Sequence, residues 1–413
     1  MSSRLYLLAA GTFFIGTDVF VIAGMLPGIA GSLDVSLSAA GQLMTVFSIG
    51  YAVLGPLLAG VTGRWGSRAR LTAALLAVAL GNLVCAWADA LPPALAGRVL
   101  VAAGASQFTP HAAALAASLV PGDRQGRALA LVTGGMVAGS VAGVPAGTWA
   151  AAQFGWRPTL VVLACGTAAV AAGLVAGLRG ADTKPPVTGV RERVRALRGP
   201  GVRGILLITV LAVLAEYSVL TYAGAVFGDA TDGDGSLLAV LLLAFGLGGL
   251  IGNGVAGACL DRPAGRHLVL VSMAGMAATF LALPWLAGSF PGALAAMVLW
   301  GAAGWMYAAP QQHRLLRLAG PAGPLAVSMN SSVIYVGAAL GGATGGVLLD
   351  HLDRDGLLVQ AALVSLLAVA AELRFRRRSA ATADPAGTEP ATGTGPAGTE
   401  PPGPARTGAD TGR

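Results

Sequence analysis

Twelve mostly apolar stretches follow one another along the chain, with short polar breaks between them. A helix that crosses a bilayer needs about 20 such residues. The pattern predicts spans over roughly 5–30, 42–62, 71–90, 93–119, 128–153 and 157–178. A second set follows over roughly 204–228, 236–259, 267–287, 291–312, 323–349 and 356–374. The first run carries Asp18 at its middle and is too long for the apolar core of a signal peptide, so it reads as a retained helix. Between the sets lies a polar stretch, 179–203, with Lys184 and then RERVRALR. It reads as a solvated linker, or alternatively as a short amphipathic helix on the lipid surface.

After the last run the material changes. PAGTEP occurs at 385–390 and again at 396–401, among Pro, Gly, Thr and Ala. Such a segment cannot bury enough apolar surface to fold and is expected to be disordered. The expected organisation is an N-terminal six-helix bundle (1–178), a cytoplasmic linker (179–203), a C-terminal six-helix bundle (204–375) and a low-complexity tail (376–413). The fold class is all-α membrane protein, with twelve transmembrane helices in two pseudo-symmetric bundles.

Composition narrows the function. Of 413 residues, 55% are hydrophobic and 11% charged, against about 25% charged in an average soluble domain. A mean hydropathy of +0.72 excludes an ordinary soluble enzyme and a disordered protein. Sixty-one glycines and 6% aromatics point to helices packed closely through small residues. Cys85, Cys165 and Cys259 all fall within apolar runs, with no CxxC, and read as small packing residues.

The net charge of +7 rests on 25 arginines and one lysine. They sit in short loops, which argues for membrane topology and against nucleic acid. With the N-terminus in the cytoplasm, 21 of the 26 fall inside and only Arg157 and Arg354 outside. The opposite loops are acidic, with Asp34, Asp229, Asp232, Asp234, Asp350, Asp353 and Asp355. Both termini are therefore expected to be cytoplasmic in a cell inner membrane.

Three features recur in the two sets of spans. Span 1 carries Asp18 and span 7 carries Glu216. GVTGRWGSRAR (60–70) follows span 2, and GACLDRPAGRH (257–267) follows span 8. Span 5 has Gly135, Gly139, Gly143 and Gly147; span 11 has Gly337, Gly341 and Gly345. Coincidences in register argue for an internal duplication, the arrangement of secondary transporters with a substrate site near the midplane. No GxxxxGK[ST], metal-ligand cluster or nucleophile elbow occurs, so no cofactor, metal or catalytic site is expected. The acidic DATDGD (229–234) lacks the DDxxD spacing of a membrane prenyl-type transferase, and no soluble domain suited to a sensor is present.

These residues also resemble a family. FIGTDVFVIAGMLPGIAGSLDVSLSAAGQL (14–43), LVTGGMVAGSVAGVPAGTW…FGWRPTL (131–160) and MNSSVIYVGAALGGATGGVLLD (329–350) are similar to stretches of the major facilitator superfamily. Within it they look like the twelve-span drug:proton antiporters near the arabinose-efflux and chloramphenicol-efflux proteins. The resemblance covers about residues 5–375 and is most specific on span 5. It implies proton-coupled efflux of small organic molecules by alternating access, carried out by a monomer. A narrow exporter of a sugar, a nucleoside or purine, or a native natural product is the alternative. In the loop after span 2, Gly63 stands where the superfamily motif normally has an acid; Arg64 and Arg68 remain, and the second copy keeps Asp261 and Arg262.

The residues themselves suggest roles. An ionised carboxylate at the bilayer centre costs roughly 2.5–3.5 kcal/mol on insertion scales, so Asp18 must face a cavity or a partner. It either couples protons or touches substrate, or it pairs permanently with an arginine. Glu216 carries the same argument, or anchors two helices by a hydrogen bond. Arg98 resembles the basic residue of the superfamily's span-4 motif, implicated in proton transfer; alternatively it snorkels to the headgroups. His111 holds one partner or relays protons. Gln107, Phe108, Tyr217, Tyr222, Asn330 and Tyr335 are candidates for the cavity wall, with Trp305 and Tyr307; aromatics at helix ends also serve as interface anchors. The span-5 glycines form a smooth ridge kinked by Pro145. By resemblance that ridge is the antiporter motif, packed on span 8 at Gly248 and Gly252.

Overall fold

A computed structural model describes residues 3–178 and 201–383, apart from 261, 263, 264 and 266. All regular structure in these residues is helical, and no strand occurs among them. The N-terminal half comprises α1 (Ser3–Leu33), α2 (Leu37–Thr62), α3 (Ser67–Ala86), α4 (Leu91–Ser118), α5 (Gln125–Ala138), a π-turn (Gly139–Gly143), α6 (Val144–Phe154) and α7 (Trp156–Gly177). The C-terminal half comprises α8 (Val202–Leu220), the single turns α9 (Ala223–Val226) and α10 (Gly228–Thr231), α11 (Gly235–Cys259), α12 (Leu268–Leu286), α13 (Phe290–Met306), α14 (Ala308–Ala319) and α15 (Gly323–Ala383). The expected linker lies almost wholly outside the described residues, as do Asp261 and the PAGTEP repeats.

Ten helices among the described residues are long and apolar enough to cross a membrane. Two physical details reconcile that number with twelve spans. α4, 28 residues long, falls short only in apolarity, because Arg98, Gln107, His111 and three prolines dilute it. α15 is too long for one crossing, since 61 residues at 1.5 Å each make about 90 Å. Its backbone breaks at Asp353, with φ 55° and ψ −162°, which divides it into two spans. The second runs on to Ala383, through the Arg376–Arg378 run, beyond the expected end of the bundle at 375.

The acidic loops have a local cause. Asp34, Asp232 and Asp353 all take positive φ, at the ends of α1 and α10 and at the break in α15. Aspartate tolerates that region better than most residues. Ser38 donates to Asp350 and Arg354 pairs with Asp229, which brings the three turns to one face, here the acidic face; the order of the helices then puts Arg64, Arg124 and Arg314 at the opposite, basic face.

Small residues set the packing. A Cβ added at Gly135 or Gly139 would run into the carbonyl of Ala9 or Phe13, and one at Gly143 or Gly147 into Thr17 or Val21. The span-5 ridge therefore packs on α1. Contrary to expectation, these glycines do not meet span 8. Gly248 and Gly252 of α11 lie instead against the carbonyls of Val298 and Ala302 on α13. Spans 5 and 8 do meet, but through Val141 against Gly246 and Ala152 against Gly235. The C-terminal half repeats the pairing, since Gly337, Gly341 and Gly345 face Val210, Leu214 and Ser218 of α8.

Candidate functional site

The ridge grips the turn of α1 that carries the first acid. Thr17 Oγ1 donates to the Gly139 carbonyl at 3.3 Å, and Thr12 Oγ1 to the Val132 carbonyl at 2.6 Å. Asp18, the next residue along, turns into the N-terminal half. Arg98 Nη1 of α4 meets its Oδ1 at 2.5 Å, and Asn82 Nδ2 of α3 donates to its Oδ2. Both charged side chains are enclosed, at 0% and 2% exposure. The headgroup reading of Arg98 is thereby overturned: the guanidinium lies in the protein interior, drawn there by a carboxylate.

The pair is not fully satisfied. Arg98 Nε and Nη2 have no hydrogen-bond partner among the described residues, nor does Asn82 Oδ1. The guanidinium rests instead on the Phe47 ring, 4.6 Å from its centroid, a contact of the cation–π type. Removing one member of a buried pair typically costs about 3–5 kcal/mol. A proton on Asp18 would remove the attraction while leaving the arginine charged.

From Phe47 a run of rings crosses to the other half. Tyr335 of α15 meets Phe47 edge-on at 5.9 Å and stacks on Tyr51 of α2 at 3.7 Å. Tyr217 of α8 packs against Phe20 of α1 at 6.0 Å. Glu216 lies beside Tyr217 on α8, buried, with Tyr307 within electrostatic reach. Asp18 and Glu216 thus each lie within two residues of the Phe20–Tyr217 contact between the halves.

The other nominated residues divide. Gln107 donates from Nε2 to the Gly55 carbonyl at 3.0 Å and accepts from Thr62 Oγ1. Phe108 fills the space beside Gly11. Both are packed between helices. Tyr222 donates to the Gly342 carbonyl at 2.8 Å and lies against Gly41, so it seals a seam between the halves. Asn330 is buried with its Oδ1 unpartnered among the described residues. His111 bonds the Gln107 carbonyl one turn back. Arg64 and Arg262 are exposed and Arg68 is half-buried.

Other residues complete the site. Asn82, Phe47 and Tyr51 were ordinary members of apolar runs, although a lone amide in span 3 was a readable signal. Arg70 closes the loop after span 2 by donating to the carbonyls of Thr62 and Trp65, the usual way a cation finishes a helix C-terminus. Glu372 of α15, fully buried, accepts both Arg314 amino groups at 2.8 Å.

Comparison with known proteins adds a lineage. A family described as the Major Facilitator Superfamily matches residues 8–323 and again 205–403. The chain is 33% identical over 368 residues to an inner membrane transport protein, YdhP, of Escherichia coli, covering 88% of this chain and 93% of that one. It is 33% identical over 377 residues to a chloramphenicol resistance protein of Streptomyces lividans, covering 88% and 95%. Among solved structures it matches the E. coli xylose transporter XylE with a TM-score of 0.67 at 16% identity, over 91% of this chain and 98% of that one. A bacterial homologue of the human lysosomal transporter Spinster gives a TM-score of 0.68 at 17% identity, over 90% and 96%.

Proposed function

This chain belongs to the major facilitator superfamily, a membrane transport family and not an enzyme family, and from that membership we propose that it is a proton-coupled exporter of small, drug-like organic molecules. Two relatives with matching length support the direction of transport: one is named for chloramphenicol resistance, another as a chloramphenicol efflux pump of Mycobacterium tuberculosis at 30% identity. In this reading the basic face is cytoplasmic, residues 1–178 and 204–375 form two six-span bundles, and one chain suffices.

The observation that carries the coupling is the buried Asp18–Arg98 pair. A proton arriving from the acidic side neutralises Asp18 and frees Arg98 from it. Rearrangement around the freed cation weakens the hold on substrate at the outer side and lets the halves rock. Release of the proton inward lets the pair close again. The pair thus has two discrete arrangements, as a conformational switch requires.

The seam between the halves fits alternating access. On the acidic face Ser38 of α2 donates to Asp350 of α15, and Gln153 of α6 donates to Ser236 of α11 at 3.1 Å. Pro27 lies beside Gly224, where a Cβ would come within 2.8 Å. These contacts join the two halves on the acidic face, around a cavity of about 550 Å³ that Pro27, Gln153, Gly224 and Ser236 help to line.

The test is resistance to a panel of uncharged and cationic antibiotics in cells stripped of their own exporters, with and without a protonophore. Resistance that collapses with the proton gradient is the expected result. Asp18→Asn should abolish it at unchanged membrane abundance; unchanged export would move the proton to Glu216. Silence across the panel would transfer the assignment to a narrow exporter of a native metabolite.

A further inference from the structure

On the acidic face the seam between the halves is tight on one side and open on the other. Where α2 meets α15, Tyr222 bonds the Gly342 carbonyl at 2.8 Å and fills the space left by Gly41 and Gly346, and Ser38 bonds Asp350. Where α1 and α6 meet α11, the cavity of about 550 Å³ opens instead. Small-molecule sites measure about 300–1,000 Å³ and favour such boundaries. One helical turn deeper on the same three helices, at Phe20, Val144 and Leu242, the space shrinks to about 10 Å³, room for at most one water. Neither Asp18 nor Glu216 lines either space, so the cavity is separate from the buried acids.

Its lining selects what it can hold. Met25, Leu37 and Leu238 are carbon walls, and Trp156 adds a ring whose N–H is already spent on Ser32 Oγ at 2.8 Å. Gln153 and Ser236 satisfy one another. At the end nearest mid-span, where Gly24 meets Thr148, the Thr148 side chain is buried and its hydroxyl has no partner among the described residues. At the mouth Asp234 is exposed and accepts from the Ser236 N–H at 2.7 Å. No arginine, lysine or histidine lines the cavity among the described residues. Arg157 stacks on Trp156 at 4.5 Å but turns to the Ala88 carbonyl. An anion would therefore meet only a carboxylate. A cation would gain little from Asp234, since an ion pair exposed to water contributes about 0–1 kcal/mol. A neutral molecule with an apolar body and a hydroxyl or amide group matches the whole lining.

We propose that this cavity is a small-molecule site in its own right, for a neutral amphipathic molecule carrying a hydroxyl or amide, and that its occupant braces the two halves. Met25 and Thr148 belong to one half, Gly224 and Leu238 to the other. A molecule that touches both favours the arrangement in which they are joined. The site stands without the export reading; on that reading, molecules that accumulate on the acidic side slow further export.

The experiment is maleimide labelling of Gly28→Cys in the purified full-length protein in detergent, read at position 28 by peptide mass. Gly28 lines the cavity, and an added Cβ there meets only Trp156, at 3.9 Å. Chloramphenicol, neutral and aromatic with hydroxyls and an amide, is the probe. At saturation it should slow labelling by at least about fivefold. Gly288→Cys, with nothing within 4 Å of its Cβ and outside the cavity, should be unaffected. Thr148→Val should raise the concentration needed by at least about threefold, the loss of one hydrogen bond. The anion 1-naphthalenesulfonate should not protect. A melting curve checks the fold; if Gly28→Cys does not fold, Ala152→Cys on the opposite wall carries the same expectation. Chloramphenicol should also speed oxidative linking of Ser38→Cys with Asp350→Cys; unchanged or slower linking overturns the brace. No protection at position 28, equal slowing at Gly288→Cys, no effect of Thr148→Val, or equal protection by the anion overturns the site. Labelling in detergent needs no gradient, so absence of proton-driven export would defeat the export reading and leave this result standing.

Discussion

Arg98 and Arg314 each hold a buried carboxylate, by different geometry. Arg314 presents two nitrogens to two oxygens of Glu372 and lays its face 5.7 Å from the Phe375 ring. Such a fork is geometrically rigid. Arg98 spends one nitrogen on Asp18 and leaves two unmatched. The first arrangement suits a permanent clamp, the second a contact that is remade each cycle. Arg314→Ala should therefore destabilise the protein by about 3–5 kcal/mol, by stranding Glu372. The melting temperature in detergent should fall by several degrees, and the double change Arg314→Met with Glu372→Met should recover most of the loss. No recovery would mean that the fork does more than balance charge. The sequence displayed Arg314 only as a topological charge, and Glu372 lay in an apolar run next to a cluster of arginines. Nothing local announces a pair 58 residues apart. Asp18 and Arg98, by contrast, were conspicuous because a charge within an apolar span has few innocent explanations.

At the scale of elements, the span-5 ridge keeps its aim through a correction in its own backbone. Residues four apart on an α-helix advance about 40° beyond a full turn, so a straight helix would swing Gly147 away from whatever Gly135 touches. The π-turn at Gly139–Gly143 bonds i to i+5, and there a four-residue step falls short of a full turn instead. Pro145 follows directly and brings no N–H to the ladder, which favours the bulge at this point. All four glycines consequently face α1. Gly143→Leu should block export by forcing α6 from α1, at a position where Thr17 already fills the space. Gly134→Ala is the control: nothing lies within 4 Å of its added Cβ, so it should gain roughly 0.5–1 kcal/mol of helix stability and leave export unchanged. Transport assays with melting curves on both variants check this, and full activity in Gly143→Leu would sink it. The stripe was legible in the sequence, its partner was not. Spacing reports that a helix has a smooth face, and both α1 and α11 offered glycines to meet it.

At the scale of the whole molecule, the twelve-span count and the charge asymmetry were readable because lipid imposes them on every residue in turn. How the halves meet depends on single polar contacts that leave no periodic trace. Ser38 with Asp350 and Gln153 with Ser236 join the halves on the acidic face at two separate places. Paired cysteines, Ser38→Cys with Asp350→Cys, should form a disulfide under oxidant and stop export, and reductant should restore it. Export that continues with the link in place would show that this seam never opens during the cycle.

The Asp18–Arg98 pair has one more consequence. A closed pair carries no net charge, so the electric field across a membrane pulls on its two members equally and oppositely. With a proton on Asp18, Arg98 remains as a single positive charge inside the bilayer. A unit charge crossing the full field exchanges about 2.3 kcal/mol per 100 mV. On the coupling reading, the voltage grips the protein only while the proton is aboard, and an unloaded transporter is electrically idle.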